Sequence, residues 1–314
     1  MPKVSVILVI YNAKRFIKPV FDSIFAQTHK NLEVVAVING SDDGSKEMIA
    51  QNYPQVKIID PGKNLWFAAG NNLAIAQTDG EFVFLVNQDI VLENTYIEKA
   101  LHGFSDPKVA AVTGKLLRYN FSLMEKTNII DSTGIVISSS GRARDRGQGE
   151  VDAGQYDKDV NVFAVTGACP VYRRSALERV KFSENGKGEY FDEDFVAYWE
   201  DVDLSWRLNN NGFKNYYVPE AVAYHGRTAA SAPGGYMKII SFIKHHRKLS
   251  AQIKKLNYQN HILMYVKNSP HIHPAFILRE IFMFFYILIF ETSTLSVWPQ
   301  LYRKLKTVKR KANK

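Results

Sequence analysis

The chain has 314 residues, 46% of them hydrophobic and 23% charged, which supports a full globular core and excludes a disordered polymer. A single cysteine, Cys169, excludes an internal disulfide framework and fits a reducing compartment. The net charge of +9 is unevenly placed. Tyr236 to Lys314 carries 15 of the 40 Lys and Arg against two acids, Glu280 and Glu291, so the preceding body is mildly acidic.

Met1 leads directly into Val4 to Ile10, a buried-strand pattern, with no basic and small-residue leader ahead of it. Ala13 to Gln27 has helical spacing, with Phe16, Val20, Ile24 and Phe25 on one face. Leu32 to Ile38 reads as a second strand, Ser45 to Asn52 as a short helix and Val56 to Ile59 as a third strand. A helix is expected over Ala68 to Gln77, then a strand from Phe82 to Val86. Strands alternating with helices predict right-handed crossovers and a mostly parallel sheet covered on both faces.

The polar groups lie just past the strand ends. Asn87 and Asp89 stand two apart on an extended chain, so their oxygens point the same way. Two hard oxygen ligands there suit a divalent cation that keeps several waters and binds substrate phosphates. In open α/β sheets, ligands bind at that edge. Asn39 to Ser45 is rich in turn and capping residues; it can face a ribose or base, or simply start a helix. Asn64, Asn71 and Asn72 flank small residues that permit close backbone approach. No GxGxxG or GxxxxGK[ST] pattern occurs, which argues against dinucleotide and P-loop chemistry.

Farther along, Ser138 to Gln155 is polar and glycine-rich, with Arg142, Arg144 and Arg146 at alternate positions; such a stretch is either functional or disordered. Val162 to Tyr172 resumes strand character and holds Cys169, read as a small buried apolar residue. Phe191 to Leu208 is acid-rich, and Glu200, Asp201 and Asp203 crowd the first turn of a helix that Gly212 would stop. These carboxylates either serve the helix dipole or give one general base to a cleft. Tyr216 to Tyr224 gives strand-like runs broken at Pro219, leading to His225.

These pieces, in this order, resemble a family 2 glycosyltransferase of the GT-A fold, in the rhamnosyltransferase-like branch of bacterial surface polysaccharide synthesis. The matching segments are VSVILVIYN (4–12), NGSDDGS (39–45), NLWFAAGNN (64–72) and FLVNQDIVL (84–92). They continue with GRARDRGQGEVDAGQYD (141–157), TGACPVYRR (166–174), FDEDFVAYWEDVDLSWRL (191–208) and YVPEAVAYHGR (217–227). The resemblance implies that Asp89 closes an Asp-x-Asp-type motif contacting a cation, Mg²⁺ or Mn²⁺, that bridges a nucleotide diphosphate. Asn87 stands in its first position. Asp201 matches the catalytic base, with Glu200 beside it on the acceptor side, and His225 matches a late histidine associated with the metal. Tyr11 and Asn12, with Asn39, Ser41, Asp42, Asn64, Trp66, Asn71 and Gln88, make up the implied donor-binding set. Two residues depart from the family pattern: Ile38, where an acid is frequent, and Trp66, where a glycine is frequent.

The expected architecture is therefore a GT-A domain over residues 1–235 and a basic, partly apolar helical region over 236–314. The expected activity is inverting sugar transfer from a nucleotide-diphosphate sugar to a glycan or polyprenyl-linked acceptor. A catalytically silent binding module on the same fold is the alternative. In the tail, Tyr236 to Leu256 reads as helical and Ala275 to Phe290 as strongly apolar but too short to span a bilayer. It suits an in-plane helix on an anionic membrane surface, or a packing helix or homodimer contact. No recognition motif accompanies the basic end, so nucleic acid is not an expected partner. His271 and His273 are read as surface residues. The location implied is cytoplasmic, on the inner face of the plasma membrane.

Overall fold

A computed structural model describes residues 1–184, 187–227 and 249–312. The first half alternates as the periodicity predicts: β1 (Val4–Ile10), α1 (Lys14–Phe25), β2 (Leu32–Ile38), α2 (Ser45–Asn52), β3 (Lys57–Ile59), α3 (Trp66–Ile75) and β4 (Phe82–Leu85). Next come β5 (Ile90–Leu92), α4 (Tyr96–His102), β6 (Val109–Asn120), β7 (Glu125–Ser132), β8 (Ile135–Ile137), β9 (Ala143–Asp145) and β10 (Asn161–Val162). The chain continues through β11 (Pro170–Arg173), α5 (Arg174–Val180), β12 (Phe182–Glu184), β13 (Lys187–Glu189), α6 (Glu200–Asn210) and β14 (Lys214–His225). It closes with α7 (Ala251–Asn268), α8 (Pro274–Phe290) and α9 (Trp298–Ala312). Of the predicted Tyr236–Leu256 helix, residues up to 248 lie outside the described residues.

The main sheet runs β10-β14-β6-β11-β4-β1-β2-β3. The pairings of β1, β2, β3 and β4 are all parallel, and β6 pairs parallel with β14. β10 and β11 run against that direction, as do β5 beside β14 and β7 beside β6, so the sheet is mostly parallel, with β11 inserted antiparallel between β4 and β6. Strand alternation then divides the core. Val4, Val6, Leu8 and Ile10 of β1 join α1 and α4 on one face, whereas Ile7 joins α3, α5 and α6 on the other. A third cluster sits beyond α6, where Val202 and Phe195 meet Tyr258, Leu263 and Met264 of α7, Ile287 of α8 and Leu301 of α9.

In one stretch the structure decides between the two readings, and in two elements it differs from the prediction. Ser138 to Gln155 is ordered, because β9 pairs antiparallel with β8 and Arg146 is buried between the Thr133 carbonyl and Asp159. Val162 to Tyr172 splits into β10 and β11 with irregular chain between them. Pro219 does not break β14; the strand runs through it, and its register on β6 slips between Val218 and Val222, so the missing N–H costs no ladder bond. Cys169 is fully buried, as expected, and burial pushes its thiol up to about 12.

Candidate active site

Parallel pairing sets the edge where a donor is expected. Ile7 of β1 lies opposite Leu85 of β4, so the residues after both strands emerge together. Tyr11 and Gln88 lock across that gap: the Tyr11 N–H donates to Oε1 (2.7 Å), and Gln88 Nε2 donates back to the Tyr11 carbonyl (3.1 Å). Asn12, at φ 48°, donates its N–H to Ser41 Oγ and accepts from the Asp42 N–H, both at 3.1 Å. Asn39 donates to Asn64 Oδ1 (2.9 Å) and accepts the Leu65 N–H (2.6 Å). The same Asn64 oxygen takes the Trp66 N–H at 2.7 Å, which seats Trp66 in the left-handed region. Asn71 is buried and donates to the Phe67 carbonyl.

The strand pairing also brings Asp89 to His225. Residue Ile90 lies opposite His225 on β14, and the Gly226 N–H donates to the Asp89 carbonyl (2.9 Å). His225 Nε2 stands 3.4 Å from Asp89 Oδ1, while its Nδ1–H donates to Asp131 Oδ2 at 2.8 Å. Asp131 is held in turn by the Arg227 guanidinium, 2.5 Å away. Burial opposes charge on His225, but the hydrogen bonds to Asp131 and Asp89 outweigh it and push the imidazole up to about 9.

Two ligands about 2.1 Å from one ion would lie about 3 Å apart, so an oxygen and a nitrogen 3.4 Å apart fit neighbouring coordination positions. Asp131, on the opposite ring nitrogen Nδ1, gives His225 the outer carboxylate that metal-bound imidazoles commonly have. Among the described residues no group of three or more His, Cys, Asp or Glu converges to hold a metal. The residues thus fit a cation that draws its remaining ligands from substrate and water.

On the far side, the chain enters α6 through a contorted segment. Val196, Tyr198 and Trp199 all have positive φ (66°, 70° and 75°), conformations that cost non-glycine residues about 1–2 kcal/mol each. Asn260 of α7, fully buried, repays part of this: its Nδ2 donates to the carbonyls of Phe195, Ala197 and Tyr198 at 2.7–3.0 Å. The Asp201 carboxylate then accepts the Gly167 N–H and its neighbour Val202's N–H, both at 2.8 Å. Burial pushes Asp201 up to about 6 against those two donors. Burial and the adjacent Asp201 charge push Glu200 up to about 8, and Glu200 Oε2 has no hydrogen-bond partner among the described residues.

A cleft of about 690 Å³ joins these parts. Tyr11, Asn39, Asn64, Trp66 and Asn71 line one side; Asn87, Gln88, Asp89 and His225 line the sheet edge. Asn12, Ser41 and Asp42 stand behind Tyr11 and off the lining. Glu200 and Asp201 are also off it; Ala197 and Tyr198, just before them, line it. Asp201 lies close behind it: a Cβ added at Gly167 would meet both Asp201 and the lining residue Phe67 at 3.3 Å.

Sequence reasoning missed Asp131, Arg227 and the α7 contribution. Asp131 had one signal, a carboxylate at the apolar end of β7. Ser250, which caps α7, and the α7 residues Gln252, Ile253 and Leu256, which also line the cleft, had none.

A family model described as "Glycosyl transferase family 2" matches residues 5–181. The chain belongs to that family. An N-acetylglucosaminyl-diphospho-decaprenol L-rhamnosyltransferase of Mycobacterium tuberculosis is 26% identical over 249 residues, 70% of this chain and 75% of that protein. The O-antigen biosynthesis protein RfbC of Myxococcus xanthus is 26% identical over 236 residues, which cover 73% of this chain. An uncharacterized protein, y4gI, of Sinorhizobium fredii is likewise 26% identical over 73% of the chain. The matches span only 18% of RfbC and 25% of y4gI. Among solved structures, the mannosyltransferase PcManGT of Pyrobaculum calidifontis, in complex with GDP-Man and Mn²⁺, superposes with a TM-score of 0.55. It is 18% identical and covers 99% of this chain and 73% of its own. GalNAc-T7 with UDP, GalNAc and Mn²⁺ gives 0.59 at 12% identity, over 85% of this chain and 50% of its own. At these identities the likeness shows the GT-A fold alone.

Proposed function

We propose that this family 2 chain transfers a sugar, with inversion, from a nucleotide-diphosphate sugar to a hydroxyl of a glycan or lipid-linked glycan, at the inner face of the plasma membrane. The observation that carries the reading is the Asp89–His225 pair, backed by Asp131, on the lining of a cleft that Asp201 approaches from behind the lining residue Phe67. The name of the Mycobacterium tuberculosis relative, which specifies a lipid diphosphate acceptor, supports the acceptor class.

Tyr11, Gln88 and the Asn39–Asn64 pair hold the donor-side loops open, leaving Trp66 and Asn71 to face the nucleotide sugar. Asp89 and His225 would hold Mg²⁺ or Mn²⁺, which supplies positive charge against the leaving diphosphate. Asp201 takes the acceptor proton. Its oxygens each accept one backbone N–H and keep a second lone pair for the hydroxyl. A carboxyl near 6 is ionised at pH 7 yet more basic than an ordinary aspartate, as a general base should be. Glu200, higher still, stays protonated there and does not compete. One displacement from the face opposite the leaving group inverts the anomeric centre, so no carboxylate nucleophile is needed.

Asp201→Asn should lower transfer by about 10²–10⁴-fold while donor binding persists. Loss of donor binding alongside activity would make Asp201 structural, and absence of wild-type donor turnover with Mn²⁺ or Mg²⁺ would leave a binding module. Wild-type activity should rise with pH through about 6, as Asp201 ionises.

A further inference from the structure

The α8 helix is apolar on both sides. Phe276, Met283, Tyr286 and Ile287 pack inward, but Leu278, Ile281, Phe282, Phe285 and Leu288 form an exposed stripe at spacings of three and four. Leu278 is 67% exposed, and Phe282 and Phe285 are more than half exposed. A contiguous apolar face of this kind marks a surface that another phase or molecule covers. Its only charged residues, Arg279 and Glu280, turn inward: Arg279 Nη1 meets His261 Nδ1 at 2.8 Å and Glu280 meets it at 3.1 Å. The outward stripe therefore has no charge of its own.

Charge lies beside it. Trp298, which opens α9, packs its ring edge-to-face with Phe284 of α8 at 6.2 Å, so the stripe continues into α9. There Leu301 is buried, whereas Tyr302, Arg303 and Lys306 are exposed. From Thr292 to Lys314 the sequence has seven Lys and Arg and no acid. Among the described residues no helix is long and apolar enough to cross a membrane. A second copy covering this face about a two-fold axis would bring the two basic helices toward each other, which like charges oppose. An anionic bilayer offers the opposite: hydrocarbon for the stripe, negative headgroups for α9, and an interfacial depth suited to Trp298 and Tyr302.

We propose that the exposed faces of α8 and α9 form one membrane-docking surface, with α8 lying in the plane of an anionic bilayer. The docking rests on this surface alone; only its consequence, delivery of a lipid-linked acceptor to the cleft, rests on the proposed function.

The test is flotation of the full chain with vesicles of phosphatidylcholine, alone or mixed with phosphatidylglycerol, with no donor or acceptor present. The protein should bind the mixed vesicles far better than the neutral ones, and added salt should weaken binding. Phe282→Asp with Phe285→Asp should reduce binding about tenfold or more. Arg303→Gln with Lys306→Gln should reduce it on anionic vesicles alone. Thermal melts, together with transfer to a soluble acceptor, would report whether the variants remain folded and active. Binding that ignores the Phe282 and Phe285 changes, or no binding at all, overturns the proposal. So does a wild-type dimer in solution that the same double variant dissociates, which would assign the face to a second copy.

Discussion

The two borders of the cleft are built differently. On the side proposed for the donor, polar groups are satisfied by loops of neighbouring strands: Tyr11 by Gln88, Asn12 by Ser41 and Asp42, Asn39 by Asn64. Sheet pairing alone brings these loops together, and the family model covers this half. On the α6 side, the support comes from distant chain. Asn72 of α3 brackets Tyr190 and Phe191, Asn260 of α7 clamps the segment before α6, and Lys267 of α7 bonds Asp192 and Asp203 at 2.8 Å each. Arg207 and Asn268 complete the cage around Asp203. A strand edge comes with the sheet, whereas the strained entry to α6 must be held from outside it. The C-terminal helices are accordingly part of the site's scaffold.

The largest way to break this contrast is Lys267→Met. It removes the cation shared by two fully buried carboxylates and should cost about 3–5 kcal/mol, read as a lowered urea midpoint. A loss below about 1 kcal/mol would mean that α7 is an ornament on a self-sufficient domain. Asn260→Ala should cost less, about 1–3 kcal/mol, because three carbonyls lose one donor group. Its transfer rate should fall more than its donor affinity, since the Tyr198–Asp201 segment loosens while the donor edge stays intact. Equal losses in both would dissolve the distinction between the two borders.

That same contrast explains what was legible in the sequence. The strands β1, β2 and β4 and the helix α1 announce themselves by local period; the strand-end rule then pointed to Asn39, Asn87 and Asp89, and the family resemblance added Tyr11. Even α3 was misread by two residues, starting at Trp66 because the Asn64 side chain caps its N–H. Asp131 escaped because its role needs β7 beside β6 and β14, a pairing no window of sequence contains. Asn260 and Lys267 escaped for the same reason: they lie about 60 to 75 residues from their partners, inside a helix whose low amphipathicity reflects burial on several sides. Polar residues spaced along such a helix look like a solvated face until the carboxylates they meet are known.

The smallest effect belongs to the donor side and sharpens the comparison from there. The Asn64 oxygen accepts from both the Asn39 amide and the Trp66 N–H, so Asn64→Ala strands two donors at the cleft edge. Trp66 is 41% exposed, and the buried Asn39 amide keeps a second acceptor in the Trp66 carbonyl (3.4 Å), so the stability cost should be about 1 kcal/mol. The consequence should appear in donor recognition instead. Trp66 holds its left-handed backbone only while that oxygen anchors it, and relaxation would move the indole across the pocket. The donor KM should therefore rise severalfold with kcat nearly unchanged, since Asp201 and its α7 supports are untouched. A matching fall in kcat would show that the two borders move as one, and that the loop after β3 helps to set the geometry of the proposed base.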